Sequence, residues 1–194
     1  MTMKQQIRIF FALDLPDRVK KEFSHFISQL KKISKTHHIR WTKSENLHIT
    51  LQFLPEVLLD DLPRLVDAVK LVLQSMPPIN ITCEALYLFP HPYLPRVIVL
   101  TMNPQSELAA LSELIGQGIE TTGYSTEKRP FRAHLTLGRI KHTHHLDLHF
   151  LQEIDLPKIA PMEINEVILF QSDPMPDGSR YTVLKHFALG PASN

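Results

Sequence analysis

The sequence predicts an α+β fold of largely antiparallel sheets built as an internal pseudo-repeat, and three observations predict it. Short runs of alternating apolar and polar residues, the mark of half-buried strands, are interleaved with segments whose apolar residues recur at helical spacing. The pattern His-x-Thr-Leu occurs twice, at His48-Ile49-Thr50-Leu51 and His134-Leu135-Thr136-Leu137, each time inside an alternating run. With this usage of His, Thr and Leu, one match arises by chance roughly a tenth of the time and two about a few times in a thousand, so the pair points to a shared role. Finally, 194 residues with 43% hydrophobic content bury a sizeable core as a single domain, residues 1–194, or as two closely joined lobes.

Residues 6–15 alternate as a first strand. Asp17 can cap the helix that follows, in which Val19, Phe23, Phe26, Ile27, Leu30 and Ile33 fall on one face. Ile39–Thr42 and Leu47–Leu54 read as strands around Lys43-Ser44-Glu45-Asn46, a segment of turn composition. Asp60 and Asp61 precede Pro63 and the series Leu65, Val66, Val69, Leu71 and Val72, a second helix with proline in its first turn, where the missing N–H has no partner to lose. Ile79–Leu88 and Arg96–Met102 are strands on either side of the turn Pro90-His91-Pro92-Tyr93-Leu94-Pro95, and a third helix spans Ser106–Thr121. The second motif strand, Ala133–Leu137, is followed by a short helix near Leu146–Ile154 and by strands near Ile164–Gln171 and Tyr181–Leu189.

Successive strand side chains alternate faces, which places His48, Thr50 and Gln52 opposite Leu47, Ile49, Leu51 and Phe53, and His134 and Thr136 opposite Leu135 and Leu137. Each motif strand therefore offers an imidazole beside a hydroxyl. If the two strands meet across a cleft, it holds two histidines and two hydroxyls with no carboxylate pair and no thiol, a set suited to phosphate. Phosphodiester cleavage takes a proton from the nucleophile and gives one to the leaving oxygen; imidazoles of pKa about 6.5 can do both near neutrality. Thr50 and Thr136 can donate hydrogen bonds to non-bridging phosphate oxygens. Either motif alone is more simply a structural His beside a strand-favouring Thr; the matched pair reverses that preference.

Lys plus Arg number 21 against 20 Asp plus Glu, so any contact with nucleic acid must rest on a local patch. The patch around the second motif comprises Lys128, Arg129, Arg132, Arg139 and Lys141, most of them expected to be solvated loop charges. Cys83 is the only cysteine, which excludes an intrachain disulfide and a cysteine-rich metal site and fits a reducing cytoplasm. The apolar run Ile9–Leu13, interrupted by Asp14 and followed by Pro16, is too short for a signal or a membrane span. His142-Thr143-His144-His145-Leu146-Asp147-Leu148-His149 contains metal-ligand residue types, but its spacing matches no established zinc pattern and it reads as a polar loop entering a helix. No cofactor or metal is expected, and a monomer is expected because no long unpaired apolar stripe is evident.

The segments Arg8–Pro16, Arg40–Trp41, Glu45–Leu54, Arg129–Arg139 and Leu169–Ser172, with Gly178 and Tyr181, resemble the 2H phosphoesterase superfamily, most closely its bacterial RNA 2′,3′-cyclic phosphodiesterases, also called 2′-5′ RNA ligase-like proteins. The likeness spans most of the chain. It implies a bilobal fold of two pseudo-twofold-related lobes, with the motif strands facing each other in a central cleft, and catalysis without metal. It also implies hydrolysis of an RNA-terminal 2′,3′-cyclic phosphate to a 2′-phosphomonoester, with weak 2′-5′ ligation by the same site. On this reading His48 and His134 are catalytic, with His134 assigned as base and His48 as acid; Thr50 and Thr136 hold the phosphate, and Arg139 lies near the nucleotide. Strict alternation turns Arg139 away from His134, so the last role needs the strand to end or twist there. Two departures from the family pattern are Pro55, where Gly is common, and Ala133, where Pro is common. Phe89, Tyr93 and Phe53 are candidates to stack a terminal base, although strand and turn aromatics are more often core. Small cyclic phosphates, cyclic nucleotides or 2′-5′ oligoadenylates as substrates, and a non-catalytic RNA-binding module, are the alternatives.

Overall fold

The structure, a computed structural model, describes residues 5–141, 146–176 and 178–190. Among the described residues, nine strands and three α-helices follow the order β1 (Gln6–Asp14), α1 (Asp17–Ser34), β2 (Ile39–Trp41), β3 (His48–Leu58), α2 (Leu62–Leu73), β4 (Ile79–Phe89), β5 (Val97–Asn103), α3 (Gln105–Glu120), β6 (His134–Ile140), β7 (Met162–Ile164), β8 (Glu166–Met175) and β9 (Gly178–Ala188). They form a four-stranded sheet, order β3-β1-β8-β9, and a five-stranded sheet, order β2-β6-β5-β4-β7. Every described pairing is antiparallel. The predicted α+β class is thus observed, and so is the repeat: β1-α1-β3 in one half corresponds to β5-α3-β6 in the other, with the motif strand paired to the first strand each time.

Helices cover one face of each sheet because their apolar stripes match it. Phe23, Phe26 and Leu30 of α1 and Leu108, Leu111 and Ile115 of α3 join one core with Ile9, Phe11 and Leu13 of β1 and Ile98, Leu100 and Met102 of β5. Phe10, Ala12, Val97 and Val99 are also buried, but stand outside that core on the opposite faces of the same strands. Those second faces carry the motif residues, and β3 and β6 come into contact there. Among the described residues no helix is long and apolar enough to cross a membrane.

Several local expectations are corrected. Asp17 is the first helical residue rather than the cap; Pro16 holds the cap position, and Asp17 complements the helix dipole from the first turn. Ile33, expected on the buried stripe, is half exposed in the last turn of α1. β3 continues past Leu54 through Pro55, because it is an edge strand and its pairing with β1 is irregular there. The short helix near 146–154 is a single 3-10 turn, His149–Leu151; the Asp147 carboxylate takes the His149 N–H (2.9 Å), a local bond that competes with helix. The strand placed at Ile164–Gln171 is two, since Met162–Ile164 pairs with β4 whereas Glu166 onward pairs with β9 and β1. Residues 142–145, half of the histidine-rich segment considered for metal binding, lie outside the described residues.

Candidate active site

One device recurs in both motif strands. In β3, Phe11 pairs with Gln52 and Ala12 with Thr50, leaving Leu51 as an extra residue; in β6, Ile98 pairs with Gly138 and Val99 with Thr136, leaving Leu137 extra. Each is a bulge immediately after the motif threonine, and a bulge inverts the alternation beyond it. Gln52 therefore turns away from His48 and Thr50, against the alternating expectation, and its amide donates to the Ser112 carbonyl (2.9 Å) on α3. Phe53 and Arg139, each five residues after its motif histidine, turn toward the cleft instead of the core. The bulge carbonyls are satisfied from outside the ladder: the buried Ser112 hydroxyl donates to Leu51 (2.7 Å) and the Thr42 N–H to Leu137 (2.8 Å).

Beyond the second bulge, a Cβ at Gly138 would lie 3.0 Å from both Ile39 Cγ2 and Trp41 Cε3. Gly138→Ala is expected to destabilise the protein by about 1–3 kcal/mol through overpacking, read as a lowered midpoint in urea.

The His48 ring lies against Phe10 (4.8 Å between centroids), Tyr181 (5.3 Å, edge-on) and Phe170 (6.3 Å). Its Nδ1 is 2.8 Å from the Asn46 carbonyl, an acceptor only, so Nδ1 carries the proton and donates. Asn46 is itself tied to the β8-β9 hairpin, its amide donating to the Ser179 carbonyl (3.1 Å). Burial among the aromatics lowers the His48 pKa to about 4; Arg139 and Lys20 push the same way, and the Asn46 carbonyl and Asp14 oppose them. Near pH 7 the ring is therefore neutral, with an unprotonated Nε2 that accepts the Thr50 hydroxyl (3.0 Å).

His134 is held alike. Its Nδ1 donates to the Arg132 carbonyl (2.7 Å), which leaves Nε2 for the cleft. The Gln105 amide grips the residue before it, donating to the Ala133 carbonyl (2.9 Å) and accepting the Ala133 N–H (3.0 Å). Gln105 is a positioning residue with no signal in the sequence, since it acts from α3, far along the chain.

His48, Thr50, His134, Thr136 and Arg139 line one cleft of about 630 Å³. Arg8, Arg40, Lys43 and Arg129 join Arg139 on its walls, and no carboxylate is among the described lining residues. With a net charge of only +1, this clustering makes a local positive field that attracts anions. Of the basic patch read from sequence, Arg129 and Arg139 face the cleft, although Arg129 also bonds Glu127 (2.8 Å), whereas Lys128 pairs with Glu120 (3.5 Å). Arg8, Arg40, Lys43, Phe10 and Tyr181 were not singled out as site residues, because only strand pairing brings them to the motifs. Of the stacking candidates, Phe53 lines the cleft beneath the Arg8 guanidinium (5.5 Å), and Phe89 lies nearly parallel to His134 at 6.0 Å. Tyr93 is outside it, almost fully exposed.

Residues 13–99 match the family described as LigT like Phosphoesterase, a stretch that contains the first motif. The chain is 29% identical over 181 residues to the RNA 2′,3′-cyclic phosphodiesterase of Archaeoglobus fulgidus, covering 93% of this chain and 99% of that protein. It is 28% identical over 178 residues to the protein of the same name from Thermotoga maritima, covering 92% of this chain and 93% of that one. The crystal structure of E. coli LigT in apo form superposes with a TM-score of 0.73 at 25% identity, over 95% of this chain and 98% of that one. LigT has also been crystallised with 3′-AMP and with ATP. Sequence relatives, family match and fold agree: the chain is similar to LigT-like 2H phosphoesterases over most of its length.

Proposed function

We propose that this chain hydrolyses the 2′,3′-cyclic phosphate at the end of an RNA to a 2′-phosphomonoester, by general acid–base catalysis between His48 and His134 and without a metal ion. The observation that carries this reading is the convergence of two His-Thr pairs on one cation-walled cleft, each imidazole pinned at Nδ1 with Nε2 left to react. The names of the relatives supply the substrate class. The donor set supports a mechanism without metal: among the described lining residues, two histidines without a carboxylate or thiolate fall short of the three protein ligands of a catalytic zinc site.

Water attacks phosphorus, the P–O3′ bond breaks, and one proton passes from water to the base while another passes from the acid to O3′. The neutral His48 is the group ready to accept a proton, so we assign it as base and His134 as acid, the reverse of the order assigned from sequence. Thr50, Thr136 and the arginines hold the non-bridging oxygens. A 5′-hydroxyl in place of water yields a 2′-5′ linkage, expected as a weak side reaction.

The test is incubation of the purified protein, in EDTA, with a short RNA ending in a 2′,3′-cyclic phosphate, resolving 2′- from 3′-phosphate products. Conversion to the 2′-phosphate is expected. A 3′-phosphate product would overturn the bond assignment, loss of activity in EDTA would overturn metal independence, and no turnover would turn the search to small cyclic phosphates.

A further inference from the structure

We infer that the RNA chain preceding the cyclic end lies across the outer part of the five-stranded sheet, its bases stacking on Phe89, Tyr87 and Tyr93. This rests on the proposed hydrolysis and extends the site from a terminal nucleotide to single-stranded RNA.

The register places Phe89 and Tyr87 on the reactive face. Phe89 pairs with Val97, which pairs with Arg139; Tyr87 pairs with Val99, which pairs with Thr136. Cross-strand partners project to the same side, so Phe89 and Tyr87 continue the face that bears Thr136 and Arg139. Leu86 and Leu100, one residue off, join the core on the other side. Phe89 begins the track, nearly parallel to the His134 ring (14°) at 6.0 Å. Tyr87 is 39% exposed and Tyr93, in the proline-rich turn, 91% exposed. Both line a second hollow of about 570 Å³ beside the part of β4 that β7 does not pair, a hollow that Leu86, Leu88, Asp147 and His149 also line.

Phe89 and Tyr87 together on the reactive face offer flat platforms, and the spacing suits a base. Alternate strand residues are about 7 Å apart, twice the roughly 3.4 Å rise of stacked bases, so rings at 87 and 89 can take one base between them. Sheet-borne aromatics are a common way of binding unpaired RNA. Phe89 beside His134 sets this face next to the cation-lined cleft and selects RNA over an apolar peptide: a strand whose cyclic end sits between the histidines must leave over one of the adjoining faces, and this one offers rings.

The experiment compares kcat/KM for a 2′,3′-cyclic mononucleotide with that for a single-stranded RNA carrying the same cyclic end. Tyr87→Ala combined with Tyr93→Ala is expected to cost about tenfold more on the oligomer than on the mononucleotide, with little change in salt dependence, since stacking rather than phosphate contact is removed. Tyr87→Phe is expected to retain the preference. Equal losses on both substrates, or none, would overturn the inference while leaving the hydrolysis standing. If the wild type turns over neither substrate, the hydrolysis reading fails; fluorescence anisotropy with a labelled RNA then decides the stacking face, weaker binding by the double variant sustaining it and unchanged binding overturning it.

Discussion

His48→Ala and His134→Ala are each expected to lower kcat/KM on a cyclic-phosphate RNA end at least a hundredfold, within the roughly hundred- to ten-thousandfold range of general acid–base catalysis. The two losses should differ in kind. The His48 pKa is lowered to about 4, so the productive neutral ring prevails above that pH and is lost as pH falls through it. The acid limb of the kcat/KM profile should therefore lie near 4 and belong to His48. A substrate with sulfur at the 3′-bridging position separates the roles, because a thiolate, whose conjugate acid has a pKa of about 8.5, departs without a proton donor. His134→Ala should regain most of its activity on that substrate and His48→Ala should not. Rescue of His48→Ala alone would restore the opposite assignment; rescue of neither would remove proton donation to O3′ from the mechanism.

Thr50→Val and Thr136→Val carry the next largest expected effects, about a hundred- to a thousandfold in kcat by analogy with the loss of a single oxyanion donor. Valine keeps the β-branched shape and strand preference while deleting the hydroxyl, so the fold should survive. The two should not behave alike. Thr50 donates to the unprotonated His48 Nε2 in the free protein (3.0 Å) and must turn to the phosphate when substrate arrives. Its removal should therefore move the acid limb of the pH profile as well as kcat, whereas Thr136→Val should change kcat with that limb in place. Serine at either position keeps the donor and should keep most of the rate. A fall confined to KM would show instead that the hydroxyls bind ground state and transition state equally.

The two His-Thr pairs were legible in the chain because the information is local. A histidine and a threonine two apart in an alternating run share a strand face whatever the strand pairs with, and the repetition of that pattern is visible without a fold. Helices at 17–34, 62–73 and 105–120 were legible for the same reason, since each shows its buried stripe within its own span. Alternation failed where the backbone left it. Gln52, Phe53 and Arg139 all follow a bulge, and nothing in Leu51 or Leu137 announces one; the extra residue exists because a neighbouring strand and the outside donors Ser112 and Thr42 impose it.

By itself, then, the sequence determined the α+β class, the repeat, the chemical identity of the two His-Thr pairs and the phosphate chemistry they suit. The tertiary structure alone decided which other residues meet them. Arg8 and Arg40 reach the wall of one cleft only when β1 lies beside β3 and β2 beside β6. The proton affinity of His48 was equally out of reach: it is set by Phe10, Phe170 and Tyr181, three rings from three different strands whose joint exclusion of water no stretch of sequence displays. Desolvation is a property of everything surrounding a group, so the proton affinity of His48 is written in the packing and not in the motif.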